Sequence, residues 1–365
     1  MNVDLPPDAE ALVYDAGVRE RTDALYQRVR DVVPEAEWPL HAPLIDAINR
    51  LKAERNAVIL AHNYMTPEIF NCVGDITGDS LRLAQVAAET EQDVIVQAGV
   101  HFMAETAKIL SPDKTVLIPD LEAGCSLAAS ITGEDVRRIR AAYPDYPIVT
   151  YVNTSAEVKA ESDICCTSSN AVPVVEAVAA QWGSDTVIMI PDEYLAKNVA
   201  SQTGIRILTW KGDCEVHEKF TRNEIEQLRV EHPDAMIITH PECPPEVLGA
   251  ADFAGSTGAM SAYVAEHRPK KAILITECSM SDNVAVANPG TQFIRPCNLC
   301  PHMKRITLKK IYDSLRLLRF EIDVPAEIAG RARASLQAML DLPHAGRPPA
   351  FDTSKPERGA EYVRV

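Results

Sequence analysis

One pattern recurs three times along this chain, and it constrains the possible folds more than any other feature. His62, Tyr151 and His240 follow one another at intervals of 89 residues, and Tyr64, Asn153 and Glu242 repeat that interval two residues further on. Cys125 and Cys214 are also 89 apart, and Cys300 lies 86 beyond Cys214. Around these positions each copy reads as strand, helix, strand, helix, strand. The strands are short β-branched runs such as Val58–Leu60, Ile148–Thr150 and Ile237–Thr239, and the intervening helices carry apolar periodicity, as in Leu81–Ala88. Strands alternating with helices imply parallel sheets covered on both faces. The expected fold class is therefore α/β: three homologous αβα sandwich domains around a pseudo-threefold axis, with the active site and any cluster at the centre. The expected boundaries are an N-terminal extension over 1–43, repeats over 44–130, 131–217 and 218–302, C-terminal helices over 303–342 that pack back on the first repeat, and a loose, Pro- and charge-rich tail over 343–365.

Composition narrows the function. No apolar run approaches the roughly 20 residues that span a bilayer, and the acidic N-terminus has no signal-peptide pattern, so a cytoplasmic location is expected. A formal net charge of −16 argues against nucleic acid and anionic membranes as partners. A small anionic substrate is still compatible, because a pocket can be locally positive inside an acidic protein. Nine cysteines without an export signal point to thiols rather than a disulfide framework, and most of the nine are expected to be inert core residues.

In open parallel sheets, ligands sit beyond the carboxyl ends of the strands. His62 with Tyr64, Tyr151 with Asn153 and His240 with Glu242 fall at that end of each copy's first strand, and residues two apart share a face. A single such residue is more often packed than functional; three pairs in register point to a site. Gly78-Asp-Ser80, Ser168-Ser-Asn and Gly255-Ser-Thr257 each stand where a helix begins. Helix capping explains any one of them, yet three helix N-termini facing one cavity would attract carboxylates and phosphates. One cysteine per copy, rather than two C-x-x-C hairpins, suits a 4Fe–4S cluster with three protein-bound irons and one iron open to ligand, not a closed zinc site.

The combined motifs resemble the quinolinate synthase family. They are Ala61-His-Asn-Tyr64, Gly78-Asp-Ser80, Glu122-Ala-Gly-Cys125, Tyr151-Val-Asn153, Cys165-Cys-Thr-Ser168-Ser-Asn, Trp210-Lys-Gly-Asp-Cys214-Glu-Val-His217, His240-Pro-Glu242, Gly255-Ser-Thr257-Gly, Thr276-Glu277 and Cys300-Pro-His-Met-Lys, in order from about residue 44 to 342. The resemblance implies condensation of iminoaspartate with dihydroxyacetone phosphate, releasing phosphate and two waters, to give quinolinate for NAD synthesis. It implies a 4Fe–4S cluster on Cys125, Cys214 and Cys300, with the open iron acting as Lewis acid. It implies substrate contacts from His62, Ser80, Tyr151, Asn153, Ser168, His240, Glu242 and Thr257, with Glu242 and Tyr64 catalytic in proton transfer. It also implies functional coupling to L-aspartate oxidase, which supplies the labile imine.

Some relatives carry C-x-x-C-x-x-C where this chain has Ile294, Cys297 and Cys300. Cys297 then reads as a spare thiol able to pair with Cys300 once a cluster is lost. Other triplicated 4Fe–4S enzymes, such as the reductase of the terminal isoprenoid step and the diphthamide-forming proteins, share the architecture. They are not expected to share Tyr-x-Asn, His-x-Glu and Gly-Ser-Thr-Gly together. A non-catalytic electron-transfer protein would be expected to ligate its cluster completely.

Overall fold

The computed structural model describes residues 12–342 and 350–365. Its three sheets are built on one plan. In the first, strand Ala57–His62 lies between Ile76–Gly78 and Val94–Ala98, with Thr115–Leu117 outside. In the second, Ile148–Tyr151 lies between Ile164–Cys166 and Thr186–Ile190, with Arg206–Thr209 beyond. In the third, Ala235–Thr239 lies between Phe253–Ala254 and Lys271–Ile275, with Gln292–Ile294 beyond. All these pairings are parallel. Each sheet thus has strand order 2-1-3-4, and its direction of winding reverses beside its first strand, where such sheets open a crevice. The second strand of each copy was not legible in the sequence. It has only two or three residues, too few to establish a period.

The first strands are buried on both faces. Ile59, Leu60, Ile148, Val149, Ile237 and Ile238 are all fully enclosed, each such side chain contributing roughly 1.5–3 kcal/mol of transfer free energy. The start of each first strand is held by the same device. The amides of Ile59, Ile148 and Ile237 donate to Asp75, Asp163 and Asp252 at 2.8, 2.7 and 2.8 Å. Those carboxylates pair in turn with Lys52, Arg140 and Arg229.

The termini depart from expectation. Helices Ala16–Val29 and Trp38–Glu54 pack together over the first unit; residues 1–11 of the expected extension lie outside the described residues. Helix Leu308–Leu317 packs on Trp38–Glu54 and strand Val94–Ala98 of the first unit, but Ala326–Leu340 packs mainly against Ala156–Ala160 and Ile164–Cys166 of the second. Its Ser335 hydroxyl donates to the Lys159 carbonyl at 2.8 Å. The first-unit docking expected for both helices thus holds for only one of them. The expectation of a loose tail fails for residues 350–365, while 343–349 lie outside the described residues. Phe351 is buried, and its amide donates to the Ala254 carbonyl at the edge of the third sheet. Glu361–Tyr362 adds a fifth, parallel strand to the second sheet beside Arg206–Thr209. Two open sheet edges are covered in this way, which removes unpaired backbone groups from solvent. No helix among the described residues is long and apolar enough to cross a membrane.

Candidate functional site

The carboxyl ends of the three first strands meet. Asp79 of the first unit accepts from Ser169 of the second at 2.5 Å. Tyr151 of the second donates to Glu242 of the third at 2.5 Å. Asn63 of the first donates to Thr257 of the third at 2.9 Å. These three contacts close a ring around a cavity of about 700 Å³, counting its mouth. All the ligand, substrate and catalytic candidates read from the sequence line it: His62, Tyr64, Ser80, Cys125, Tyr151, Asn153, Ser168, Cys214, His240, Glu242, Thr257 and Cys300.

At two of the three helices another residue does the capping. Asp79 caps helix Ser80–Glu89 and Ser256 caps Thr257–His267 through their side chains. Ser80 and Thr257 therefore sit one residue inside the helix with their hydroxyls at the cavity wall, and Ser168 reaches His240 Nε2 at 3.2 Å. No lysine or arginine lines the cavity among the described residues. Burial lowers His62 to about 4 and His240 to about 3, so both are neutral at pH 7. The groups at the cavity wall suited to an anion are hydroxyls and helix N-termini rather than cationic side chains. Asn153 Oδ1 is buried without a hydrogen-bond partner, an acceptor available to an N–H or O–H of a bound molecule.

Two residues outside the repeat complete a chain of hydrogen bonds. His217 Nδ1 is 2.7 Å from Glu242 Oε2, and its Nε2 is 2.9 Å from the Thr276 hydroxyl, which is 2.6 Å from Tyr64 Oη. Burial would raise the Glu242 carboxyl, but His217 and His240 beside it, with hydrogen bonds from His217 and Tyr151, hold it below the usual carboxylate range. An ionised carboxylate only accepts, so His217 Nδ1–H donates to Glu242. The Thr276 hydroxyl bridges His217 Nε2 and Tyr64 Oη. Burial and the charge of Glu242 push the Tyr64 and Tyr151 hydroxyls well up, so both keep their protons. His217 and Thr276 stand in motifs already quoted, but their threefold counterparts are Ala128 with Met303 and Gly99 with Pro191. Neither belongs to the repeated polar pattern.

The cysteines divide by surroundings. Cys72, Cys165, Cys166 and Cys243 are buried, whereas Cys125, Cys214 and Cys300 are partly open to the cavity. Each of the three is followed seven residues later by a threonine that caps a helix, Thr132, Thr221 and Thr307. That signal was present in the sequence, and it puts Cys300 rather than Cys297 in register. The Cys214 loop runs close against its support: a side chain at Gly212 would meet Ser130 Oγ at 2.5 Å and the Pro191 carbonyl at 2.7 Å. Among the described residues only Cys214, His217 and Glu242 form a trio of ligating groups with all donor atoms within 4.8 Å. Cys125, Cys214 and Cys300, one from each unit, line the same cavity, a donor set that fits an iron–sulfur cluster. Cys297 does not stand free beside Cys300: it is joined to Cys278, with Cα atoms 5.0 Å apart. The parallel bridge between Glu277 and Asn298 brings those two cysteines side by side, a pairing across neighbouring strand ends that chain distance alone did not suggest.

Comparison with known proteins gives one consistent result. The family described as quinolinate synthetase A protein matches residues 46–341. A quinolinate synthase of Caulobacter vibrioides is 58% identical over 343 residues, 94% of each chain. Quinolinate synthase 2 of Mesorhizobium japonicum is 62% identical over 316 residues, 87% of this chain and 96% of the relative. The quinolinate synthase of Agrobacterium fabrum is 59% identical over 331 residues, 90% of this chain and 95% of the relative.

Proposed function

The chain belongs to the quinolinate synthetase A family, and from that premise we propose that it condenses iminoaspartate with dihydroxyacetone phosphate to form quinolinate, releasing phosphate and two waters. A 4Fe–4S cluster on Cys125, Cys214 and Cys300 would supply a Lewis-acidic iron with a position open to substrate oxygen or nitrogen. The observation that carries this reading is the proton path from Tyr64 through Thr276 and His217 to Glu242, running past Cys214 on the wall of the same cavity.

The residue chemistry supports it. The nucleophile is the enamine form of iminoaspartate, which requires removal of a proton from carbon. Glu242, kept ionised and bonded to His217 Nδ1, acts with that imidazole as the proton-accepting pair. Tyr64 holds its proton for a developing alkoxide or a departing hydroxyl and is resupplied along the path. Tyr151 and Asn153 both hydrogen-bond Glu242 Oε1 and fix the carboxylate, while Asn153 Oδ1 faces the imine N–H or a substrate hydroxyl. Ser80, Ser168 and Thr257, at helix N-termini, receive the carboxylates and phosphate, with neutral His62 and His240 as hydrogen-bond partners. The labile imine requires supply from an aspartate-oxidising enzyme.

The test is purification without oxygen, analysis for iron and sulfide, and assay for quinolinate. About four irons per chain are expected, with quinolinate formed from the two substrates. Protein that carries the cluster but makes no quinolinate would overturn the reading.

A further inference from the structure

Cys214, His217 and Glu242 come from two units yet place one sulfur, one nitrogen and one oxygen within 4.8 Å of one another. The sulfur lies 3.2 Å from His217 Nδ1, and that nitrogen lies 2.7 Å from Glu242 Oε2. Sulfur, imidazole nitrogen and carboxylate oxygen are the donors zinc prefers, and three protein ligands with one further position is the arrangement of reactive zinc sites. Two ligands at Cys-x-x-His spacing with the third distant in sequence is an ordinary way to assemble one. All three side chains line the cavity, so the fourth position opens onto it.

The surroundings of the trio are those of a metal site. A ligating imidazole is oriented by a hydrogen bond from its other nitrogen. With a metal on Nδ1, His217 Nε2–H donates to Thr276 Oγ1 at 2.9 Å, and the Thr276 hydroxyl turns to Tyr64. The free oxygen of Glu242 is already held by Tyr151 at 2.5 Å and by Asn153 at 3.4 Å. Zinc–ligand bonds of about 2.0–2.3 Å need the donor atoms roughly 3.3–3.8 Å apart. Replacing the protons now shared in the trio by a metal therefore requires shifts of about 1 Å or less.

We propose that the chain without its iron–sulfur cluster binds one zinc ion through Cys214 Sγ, His217 Nδ1 and Glu242 Oε2, and that zinc and cluster exclude each other because both need Cys214. The zinc site itself is read from metal binding and not from turnover, and only its exclusion of the cluster rests on the proposed ligation by Cys214. Zinc bound there also occupies both members of the proton-accepting pair.

Cobalt(II), which reports thiolate ligation by charge-transfer absorption, is titrated into the cluster-free full-length chain and then displaced with zinc. One cobalt per chain with a sulfur charge-transfer band is expected. Cys125→Ser and Cys300→Ser should bind it with affinity within about threefold of the parent. Cys214→Ser, His217→Gln and Glu242→Gln should each bind at least about tenfold more weakly, in the range seen when metal sites are altered. Thr276→Val, a change beside the trio that preserves its ligands, should weaken binding about tenfold even if a ligand variant fails to fold. The zinc-loaded chain should take up less iron and sulfide on anaerobic reconstitution than the metal-free chain. Equal loss of cobalt in Cys125→Ser and Cys300→Ser, unchanged binding in His217→Gln, or full cluster uptake by the zinc-loaded chain would each overturn the proposal.

Discussion

Glu242 is the residue on which the site turns, because Tyr151, Asn153 and His217 all hydrogen-bond its carboxylate. Glu242→Gln keeps the size and shape but replaces an acceptor-only group by an amide, reversing the direction of at least one of those bonds. Turnover should fall on the order of a hundredfold or more while iron content stays that of the parent; near-normal turnover would remove Glu242 from the chemistry. His62 carries a pH signature of a different kind. Burial lowers its folded value to about 4, whereas the unfolded imidazole titrates near its ordinary value. Between those limits the unfolded chain binds a proton that the folded chain does not, so stability is lost as pH falls from about 6.5 towards 4. Urea unfolding of the cluster-free chain at pH 7 and pH 5 should show a smaller loss for His62→Gln than for the parent. An equal loss in both would mean that another group sets the slope. Of these residues, Glu242 and His62 were legible because they repeat, and His217 was not, because it occurs once.

At the scale of elements, the carboxylate that receives each first-strand amide ties strand to loop in all three units. Asp252→Ala leaves the Ile237 amide without its acceptor and should cost about 1–3 kcal/mol by denaturant titration. Arg229→Ala, which removes the more exposed partner of that pair, should cost less than about 1 kcal/mol. The reverse ranking would show that the ion pair matters and the amide bond does not. The loop that carries the third cysteine poses a sharper question. Cys300 faces the cavity seven residues before a helix cap, as its two counterparts do, whereas Cys297 is committed to Cys278. Cys300→Ser should lose the visible absorption of an iron–sulfur cluster and quinolinate formation together. Cys297→Ser should largely retain both. If Cys297→Ser is the variant that loses its cluster, the third ligand has been misassigned.

Across the whole molecule, the C-terminal segment adds contacts to two units, covering the Ala254 edge of the third sheet and extending the second. A chain ending at residue 349 should unfold at lower temperature, since it loses buried Phe351 and a strand, yet retain its iron. An unchanged melting temperature would mean that the segment adds nothing to stability. The sequence by itself determined the three-copy parallel α/β plan, the three polar pairs and the cysteine of each copy, because a repeated unit leaves its period in the order of residues. Only the tertiary structure decided how the copies complete one another. It joined His217 and Thr276, which have no counterparts, to Tyr64 and Glu242, paired Cys297 with Cys278, docked the tail and sent the last helix to the second unit. Each of these joins residues distant in the chain through surfaces on different units, and such contacts follow from how whole sheets pack rather than from any local period.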